Sequence, residues 1–276
     1  MSYEYATWRL LITPPDTGAW NMAVDEALLS SIYQGLSPAT LRLYAWEPAC
    51  LSLGYAQPIR DADLARLDER GWGIVRRPTG GRAILHMDEL TYSVIAPNDE
   101  PRLLGGVLQS YQSISHALLH ALQSLGIPAQ ASEKADPPDP SSLTGLVCFE
   151  VPSPYEIIAA GKKLIGSAQA RKREGVLQHG SLPLHGDLTR ITQVLSYENE
   201  QERKLAAARL LERAATVAQI LGEGLAWEIA SQAFVESFSS VLNLKLQPQG
   251  LSTLESAAAE QLVAEKYSHL AWTKRV

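Results

Sequence analysis

The sequence has few cysteines and no long apolar segment. Its 276 residues include two cysteines, Cys50 and Cys148, and no CxxC pair. This excludes a disulfide-dense secreted scaffold and a zinc ribbon, and it favours a reducing compartment. No segment approaches the ~20 apolar residues that a membrane-spanning helix needs. The N-terminus also lacks the basic and apolar regions of a signal peptide. We therefore expect a cytoplasmic protein with no membrane partner.

Basic residues are also fewer than acidic residues. The chain carries 24 Lys and Arg against 30 Asp and Glu, which gives a net charge of −6. Wholesale nucleic-acid binding is therefore not expected. The 6 histidines are not grouped with carboxylates or cysteines at the spacing of metal ligands, so no metal site is predicted.

A content of 46% hydrophobic residues indicates a globular chain. Residue alternation predicts strands over these segments: 8–12, 41–46, 50–55, 73–77 and 90–96. The two strands of 41–55 are expected to form a hairpin. Helical periodicity predicts helices over 19–29 and 105–125, and from about 200 to the end apart from 244–248.

The middle of the chain changes composition. Residues 129–145 are rich in Asp, Pro and Ser, which predicts a surface loop whose position before Cys148 suits a lid. Further short strands are predicted at 146–150, 155–160, 163–169 and 175–180. Strands first and helices last indicate the α+β class. We expect a single domain over 1–276, with a core at about 35–225 and a helical C-terminal extension at about 200–276.

One glycine-bearing loop could bind an anion or a carbonyl. In Arg76–Arg82 two glycines free the backbone to present N–H groups, and three arginines supply charge. This suits an acyl-carrier or phosphate tail. A glycine turn with solvated arginines explains the same pattern equally well, and neither the P-loop nor the GxGxxG pattern is present.

Cys148 is a candidate nucleophile, with Lys163 fifteen residues later across an apparent strand-turn-strand. A cysteine with a pKa near 8.5 is only roughly 3% thiolate at neutral pH. A unit charge at about 4 Å contributes up to ~4 kcal/mol at an effective dielectric near 20, and a two-unit shift needs about 2.7 kcal/mol. One lysine is thus enough to activate the thiol. Taken alone, a cysteine in an apolar strand is more often a small buried side chain, and Cys50 keeps that interpretation.

Two longer motifs resemble those of a known protein family. Residues 75–86, followed by 89–94, resemble the signature of the lipoate-protein ligase and octanoyltransferase superfamily. Residues 161–169, with 176–181, resemble the lysine motif of that superfamily. Residues 21–26 fit as well, so the likeness covers nearly the whole chain. The resemblance implies the fold of the biotin and lipoate-protein ligase catalytic domains.

The position of Cys148 before Lys163 is similar to the order in the LipM-type octanoyltransferases. This resemblance implies that a Cys148 thioester carries octanoyl from octanoyl-acyl carrier protein to a lysine of a lipoyl domain or the glycine-cleavage H protein. It implies no cofactor, and we expect a monomer. The catalytic residues would be Cys148 and Lys163. The substrate-binding residues would be Arg76, Arg77, Gly80, Gly81, Arg82, His86, Gly166, Ser167, Ala168, Gln178, His179 and Gly180.

Two alternatives stay open at this point. An ATP-dependent lipoate-protein ligase would use Lys163 to hold lipoyl-adenylate and would leave Cys148 without a role. A catalytically silent acyl- or biotin-binding module would bind a lipoyl domain without turnover.

Overall fold

The computed structural model describes residues 3–132, 145–150 and 156–276. Its strands are β1 Ala6–Ile12, β2 Thr40–Tyr44, β3 Cys50–Leu53, β4 Gly73–Arg76, β5 Ile84–His86, β6 Glu89–Ala96, β7 Ala129–Ser132, β8 Glu156–Ala159, β9 Lys162–Lys172, β10 Gly175–Pro183 and β11 Leu244–Pro248. Its α-helices are α1 Gly18–Tyr33, α2 Leu64–Glu69, α3 Val107–Ser124, α4 Glu200–Arg213, α5 Val217–Leu221, α6 Trp227–Val241, α7 Thr253–Leu262 and α8 Leu270–Thr273. Shorter helical turns include the 3-10 turn Cys148–Glu150.

The framework is an eight-stranded mixed sheet in the order β11-β1-β2-β6-β10-β9-β8-β7. A smaller sheet in the order β4-β3-β5 lies beside it. Helices α3 and α6 pack against each other over one face of the large sheet, and α1 and α7 cover the other. Every residue of β6 and β10 is buried, because helices or the second sheet cover both faces of these central strands. The α+β class is confirmed.

The hairpin predicted over 41–55 is wrong. Strand β2 lies in the large sheet between β1 and β6, whereas β3 pairs with β4 and β5 in the small sheet. The connecting segment leaves the large sheet where the amide of Glu47 donates to the carbonyl of Asp16 at 3.0 Å. The apolar side chains of β3 then join a separate core with residues such as Val194. The alternation of both strands is therefore real, but their burial is against different partners.

The strand predicted at 146–150 is also wrong, because Cys148–Glu150 forms a 3-10 turn. Only a single bridge, between Val147 and Ala83, has strand geometry there. The predicted loop 129–145 starts with a strand, since β7 pairs with β8. The rest of that loop, 133–144, and the suggestion that it is a lid lie outside the described residues.

The C-terminal region contributes to the main sheet. Strand β11 pairs in parallel with β1, so the segment expected as a helical extension supplies an edge strand of the core. The assignment of a single domain stays a prediction. Within the described part of the chain, no helix combines the length and the apolar character needed to cross a bilayer.

A buried ion pair joins the C-terminal helices to the first strand. Arg9 donates two hydrogen bonds to Glu255, at 2.9 and 2.8 Å, and both side chains are almost fully buried. Burial alone raises the pKa of Glu255, but hydrogen bonds from Arg9, Ser37 and the Ser252 backbone outweigh it and bring the pKa to about 2. The carboxylate is thus held in its charged form by the fold.

We expect Glu255→Gln to lower the free energy of unfolding by about 2 kcal/mol at neutral pH, because Arg9 loses its charged partner. The pKa of Glu255 is depressed from 4.5 to about 2. Its stabilising effect is therefore complete above 4.5 and is lost as the pH falls toward 2. Urea denaturation at several pH values should show a shallower loss of stability in this acid range for the variant. The matched control is Glu260→Gln on the exposed face of the same helix. Equal effects of the two variants would contradict this interpretation.

Candidate functional site

The two arginines at the end of β4, Arg76 and Arg77, have different roles in the structure. The Arg76 guanidinium is buried and donates to four backbone carbonyls, those of Gly54, Tyr55, Gln57 and Thr273. These contacts tie the end of β4 to the C-terminal helix. All three nitrogens of Arg76 are therefore occupied by the fold itself.

Arg77 instead supports the glycine loop from inside. Its Nη1 donates to the carbonyl and the hydroxyl of Ser52, both at 2.8 Å. Its Nη2 donates to the carbonyls of Gly80 and Arg82, at 2.9 and 3.0 Å. The guanidinium thus holds three carbonyl oxygens of the loop and of β3 in place, which fixes the loop geometry.

The glycine loop also passes very close to β3. A Cβ atom on Gly54 would lie 1.9 Å from the carbonyl oxygen of Gly81, and Gly81 itself has a φ of +90°. Only glycine accommodates this approach and this backbone conformation without strain. Gly80, in contrast, has open space around its Cα.

Cys148 is held directly beside this loop. Its amide donates to the carbonyl of Ala83 at 2.9 Å, and the Ala83 amide donates to the carbonyl of Leu146 at 3.1 Å. Cys148 is 8% exposed. A Cβ atom on Gly166 would lie 3.6 Å from the Cys148 sulfur, at ordinary van der Waals distance, so the thiol lies next to the first half of β9.

Lys163 lies on the same strand and contacts the backbone of Cys148. Its Nζ donates to the Cys148 carbonyl oxygen at 3.0 Å. It also forms an ion pair with Glu156 on the neighbouring strand β8. The sequence predicted that the Lys163 ammonium meets the Cys148 sulfur, whereas the contact in the structure is between Nζ and the backbone carbonyl of Cys148.

The glycine-rich part of β9 lies opposite β10. Gly166, Ser167 and Ala168 pair with Ser181, Gly180 and His179. Because side chains alternate along a strand, Gly166 and Ala168 face one side of the sheet. Ser167 faces the other side, where its hydroxyl contacts Tyr92 at 2.8 Å.

A narrow cavity opens on the face of Gly166 and Ala168. It is lined by Tyr44, Trp46, Arg77, Ile84, His86, Thr91, Gly166, Ala168, His179, Gly180 and Ser181. Ser167 and Gln178 line a different cavity, with Tyr111 and Glu156. The structure thus brings six of the residues predicted to bind substrate to one cavity and directs two to another.

His86 is part of a buried hydrogen-bonded chain beside the cavity. Its Nδ1 lies 2.8 Å from Glu89, and its Nε2 lies 2.7 Å from the hydroxyl of Ser52. The imidazole stacks on Trp46 with 3.9 Å between ring centroids. Since Ser52 also accepts from Arg77, the chain links Glu89 to the glycine loop.

A second buried network starts on α1. Asp25 is fully buried and accepts from Arg42 at 2.8 Å, Ser93 at 2.8 Å and Tyr44 at 3.1 Å. The carboxylate also lies 3.5 Å from Nδ1 of His179. Burial alone raises the pKa of Asp25, but Arg42 and His179 outweigh it and the net pKa is lowered.

His179 carries this network to the glycine loop. Its Nε2 lies 2.7 Å from the hydroxyl of Thr79. Burial lowers the pKa of His179, and the Asp25 carboxylate opposes only part of this effect. His179 is therefore a neutral group that positions the loop.

Several residues around the cavity were not predicted from the sequence to be site residues. Ser52, Trp46 and Tyr44 lie in ordinary strand patterns, and no local signal marks them. Asp25 lies in a segment that resembled the family, but its partners come from three other strands. Glu89 also lies in a recognised motif, three residues after His86, a spacing that could have indicated their pairing.

The two cysteines differ in their surroundings. Cys50 is 1% exposed, and burial raises its pKa to about 12. Its sulfur is packed against Gly18, so no substrate can approach it. Cys148 is the cysteine beside the glycine loop and the cavity.

Fold and site together define an α+β protein in which a buried lysine contacts the backbone of a buried cysteine beside a glycine loop. Residues 17–239 match the family described as the lipoyl protein ligase A/B catalytic domain. The chain belongs to this family.

Relatives of known name point to one branch of the family. The chain is 40% identical over 276 residues to octanoyltransferase LipM of Kyrpidia tusciae, covering 98% of this chain and 99% of the relative. It is 38% identical over 272 residues to octanoyltransferase LipM of Brevibacillus brevis, covering 97% and 99%. In fold it is similar to a bipartite lipoate protein ligase of Thermoplasma acidophilum, with a TM-score of 0.81 at 24% identity over 98% of this chain and 97% of that chain.

The close approach at Gly54 gives a direct test of the loop geometry. We expect Gly54→Ala to lower the free energy of unfolding by about 2 kcal/mol, because the new methyl group displaces the Gly81 carbonyl. Gly80→Ala in the glycine loop itself, where nothing obstructs a Cβ atom, should unfold at nearly the same temperature as the natural chain. Thermal denaturation of both variants measures this. Equal stability of Gly54→Ala and the natural chain would show that the loop does not approach β3 as described.

Proposed function

We propose that this chain is an octanoyltransferase that carries its acyl group on Cys148. The donor is octanoyl-acyl carrier protein, and the acceptor is a lysine of a lipoyl domain or of the glycine-cleavage H protein. The observation that carries the proposal is the Cys148 thiol beside Gly166 and the glycine loop, in a chain whose relatives are named octanoyltransferase LipM. We retain the cytoplasm as the expected compartment, since both cysteines are free thiols.

The lining of the cavity supports an acyl chain as the ligand. Tyr44, Trp46, Ile84 and Ala168 contribute apolar surface to it. Transfer of each methylene group of a fatty chain out of water contributes about 0.8 kcal/mol. We propose that an octanoyl chain on Cys148, whose sulfur lies next to Gly166, contacts these apolar side chains.

The first half-reaction is a thioester exchange. The Cys148 thiolate attacks the carbonyl carbon of the octanoyl thioester, and the carbonyl π electrons move to oxygen. Collapse of this tetrahedral intermediate breaks the bond to the sulfur of the carrier, which leaves as a thiolate and takes up a proton. The products are octanoyl-Cys148 and the free carrier protein.

Backbone amides of the glycine loop are suited to stabilise the developing oxyanion. Within the described residues, the N–H groups of Gly80 and Gly81 have no hydrogen-bond acceptor, and both residues are exposed. Preorganised N–H donors of this kind contribute about 3 kcal/mol each in acyl-transfer enzymes. We assign them to the carbonyl oxygen of the thioester.

The second half-reaction forms the amide. The neutral ε-amine of the acceptor lysine attacks the octanoyl-Cys148 carbonyl, the C–S bond breaks, and the amine loses a proton. Cys148 is regenerated. Neither half-reaction needs a nucleotide, because the donor thioester is already activated.

Intact-protein mass spectrometry after mixing with octanoyl-acyl carrier protein tests the proposal. We expect one octanoyl group on the natural chain and none on Cys148→Ala, with transfer to a lipoyl domain reduced by a factor on the order of 10³ or more. Cys50→Ala is the matched control, since that thiol is sealed in the core. It should retain the adduct and the transfer activity.

Two results would contradict the proposal. An octanoyl adduct that persists in Cys148→Ala would place the acyl group on another residue. Full activity of Cys148→Ala with free lipoate and ATP would identify a ligase instead.

A further inference from the structure

An aromatic and cationic surface lies where helix α8 meets the segment that follows β3. The rings of Tyr55 and Trp272 are 6.1 Å apart and meet edge to face. The guanidinium carbon of Arg275 lies 3.8 Å from the centroid of the Tyr55 ring and 4.6 Å from that of Trp272. The Lys266 ammonium lies 4.1 Å from the Trp272 centroid. Each ring therefore has a cation against it at a distance that permits cation–π attraction.

A third cation reaches this surface from the large sheet. Lys172 ends β9 and is exposed. Because side chains alternate along a strand and β9 pairs regularly with β10 there, Lys172 is on the same face as Gly166. A hydrogen bond from Arg275 and its positive charge lower the pKa of Tyr55, and the charges of Lys172 and Lys266 lower it further. The three cations thus lie around one phenol.

Two of these cations carry a charge that the fold does not balance. Lys266 forms an ion pair with Glu26 on α1, with 2.6 Å between Nζ and a carboxylate oxygen. Among the described residues, no carboxylate forms an ion pair with Lys172 or Arg275, and both side chains are exposed. The whole chain has a net charge of −6. A local excess of positive charge on such a chain is suited to an anionic partner.

The fold holds the aromatic part of this surface in place. Arg76 donates from Nε and Nη2 to the Thr273 carbonyl, at 3.0 and 2.6 Å. Nε1 of Trp272 donates in return to the Arg76 carbonyl at 3.0 Å. The buried Arg76 therefore positions the short helix that precedes Arg275.

The surface adjoins the segments that carry the candidate nucleophile. The Tyr55 amide donates to the carbonyl of Thr79, in the glycine loop, at 2.8 Å. Two residues further on, Nε2 of Gln57 donates to the Leu146 carbonyl at 3.2 Å. Leu146 lies two residues before Cys148. The segment that contains Tyr55 is thus in direct contact with both the glycine loop and the cysteine segment.

The proposed donor brings an anion together with its thioester. A carrier protein holds its acyl group on a phosphopantetheine arm, and the phosphodiester of this arm is negatively charged at neutral pH. Arginine and lysine are suited to bind phosphate oxygens. The acceptor lysine, in contrast, is a cation until it loses a proton, so the same charges would repel it. Charge complementarity therefore favours the donor as the occupant.

We infer that the surface formed by Tyr55, Lys172, Lys266, Trp272 and Arg275 binds the acyl carrier donor through the phosphodiester of its arm. Lys172 and Arg275 supply the unbalanced charge, and the two rings present apolar surface to the arm. This inference rests on the proposed function. It adds a binding site for the donor outside the acyl cavity.

The test compares two donors in steady-state transfer to a lipoyl domain by the full chain. One is octanoyl-acyl carrier protein, and the other is octanoyl-pantetheine, a thioester without the phosphate. Lys172→Glu and Arg275→Glu should each lower the ratio of kcat/KM for the carrier to kcat/KM for octanoyl-pantetheine by about tenfold, because a like charge then opposes the phosphodiester.

The matched control is Lys245→Glu. Lys245 is also an exposed lysine on a strand of the large sheet. Its strand, β11, is five strands away from β9 in the sheet, a separation of about 24 Å. Lys245→Glu should leave the ratio for the two donors within about twofold of the natural value, since a charge at this distance is largely screened.

Three outcomes would overturn the inference. The first is an unchanged ratio in Lys172→Glu and Arg275→Glu, with folding verified by circular dichroism. The second is a rise of the KM for the lipoyl domain in place of an effect on the carrier, which would assign the surface to the acceptor. The third is an equal effect of Lys245→Glu. If Arg275→Glu does not fold, Lys172→Glu decides alone.

Failure of this inference is distinguishable from failure of the proposed function. An octanoyl adduct that forms on Cys148 while the donor ratio stays unchanged would remove only the docking surface. If the natural chain forms no adduct, binding of the carrier protein with its arm, measured by fluorescence anisotropy, decides the inference by itself. Weaker binding to Lys172→Glu than to Lys245→Glu would then support the surface, and equal binding would refute it.

Discussion

The hydrogen bond from the Cys148 amide to the Ala83 carbonyl joins two segments that are far apart in the chain. On one side is the glycine loop, whose carbonyls are held by Arg77. On the other is the 3-10 turn, whose carbonyl is held by Lys163. The thiol, the glycine amides and the cavity depend on this junction for their relative positions. The two loops that form the site are held in fixed positions because buried cations tie both of them to strands.

Buried polar groups maintain this geometry. Their burial costs desolvation free energy, which the surrounding hydrogen bonds offset. The Asp25 carboxylate binds side chains from three strands and reaches the loop through His179 and Thr79. Removal of one partner from such a network leaves the other charge buried and unsatisfied, which is strongly destabilising. The helix that contains Asp25 is thus connected to the candidate site, although none of its residues lines the cavity.

The sequence predicted the fold class, most strands and the long helix α3, and it predicted that Lys163 lies near Cys148, although the contact is with the Cys148 carbonyl and not with the sulfur. These features have local or motif signals. It did not predict that β2 and β3 enter different sheets, because alternation reports that a strand is half-buried and not which neighbour buries it. The sequence also could not show that Arg76 and Arg77 have different roles. The two side chains are chemically identical. The Arg76 guanidinium donates to carbonyls of the C-terminal helix and of the β3–α2 connection, and only the tertiary structure brings these carbonyls near it.

A similar limit applies to the lysine motif. Gly166 and Ser167 are adjacent and were assigned to one binding site, yet strand geometry directs them to opposite faces of the sheet. The motif identified the strand correctly. The alternation of side chains along β9 then decides which of its residues face the cavity beside His179, and this alternation is fixed by the register of β9 with β10.

We propose that the acyl group rests on Cys148 between donor and acceptor. The most direct test is a rapid-quench experiment in which isolated octanoyl-enzyme is mixed with a lipoyl domain and both species are followed by mass spectrometry. We expect the enzyme to lose its octanoyl group at least as fast as steady-state turnover, with stoichiometric appearance of the octanoylated lipoyl domain. An octanoyl-enzyme that persists while turnover proceeds would contradict it.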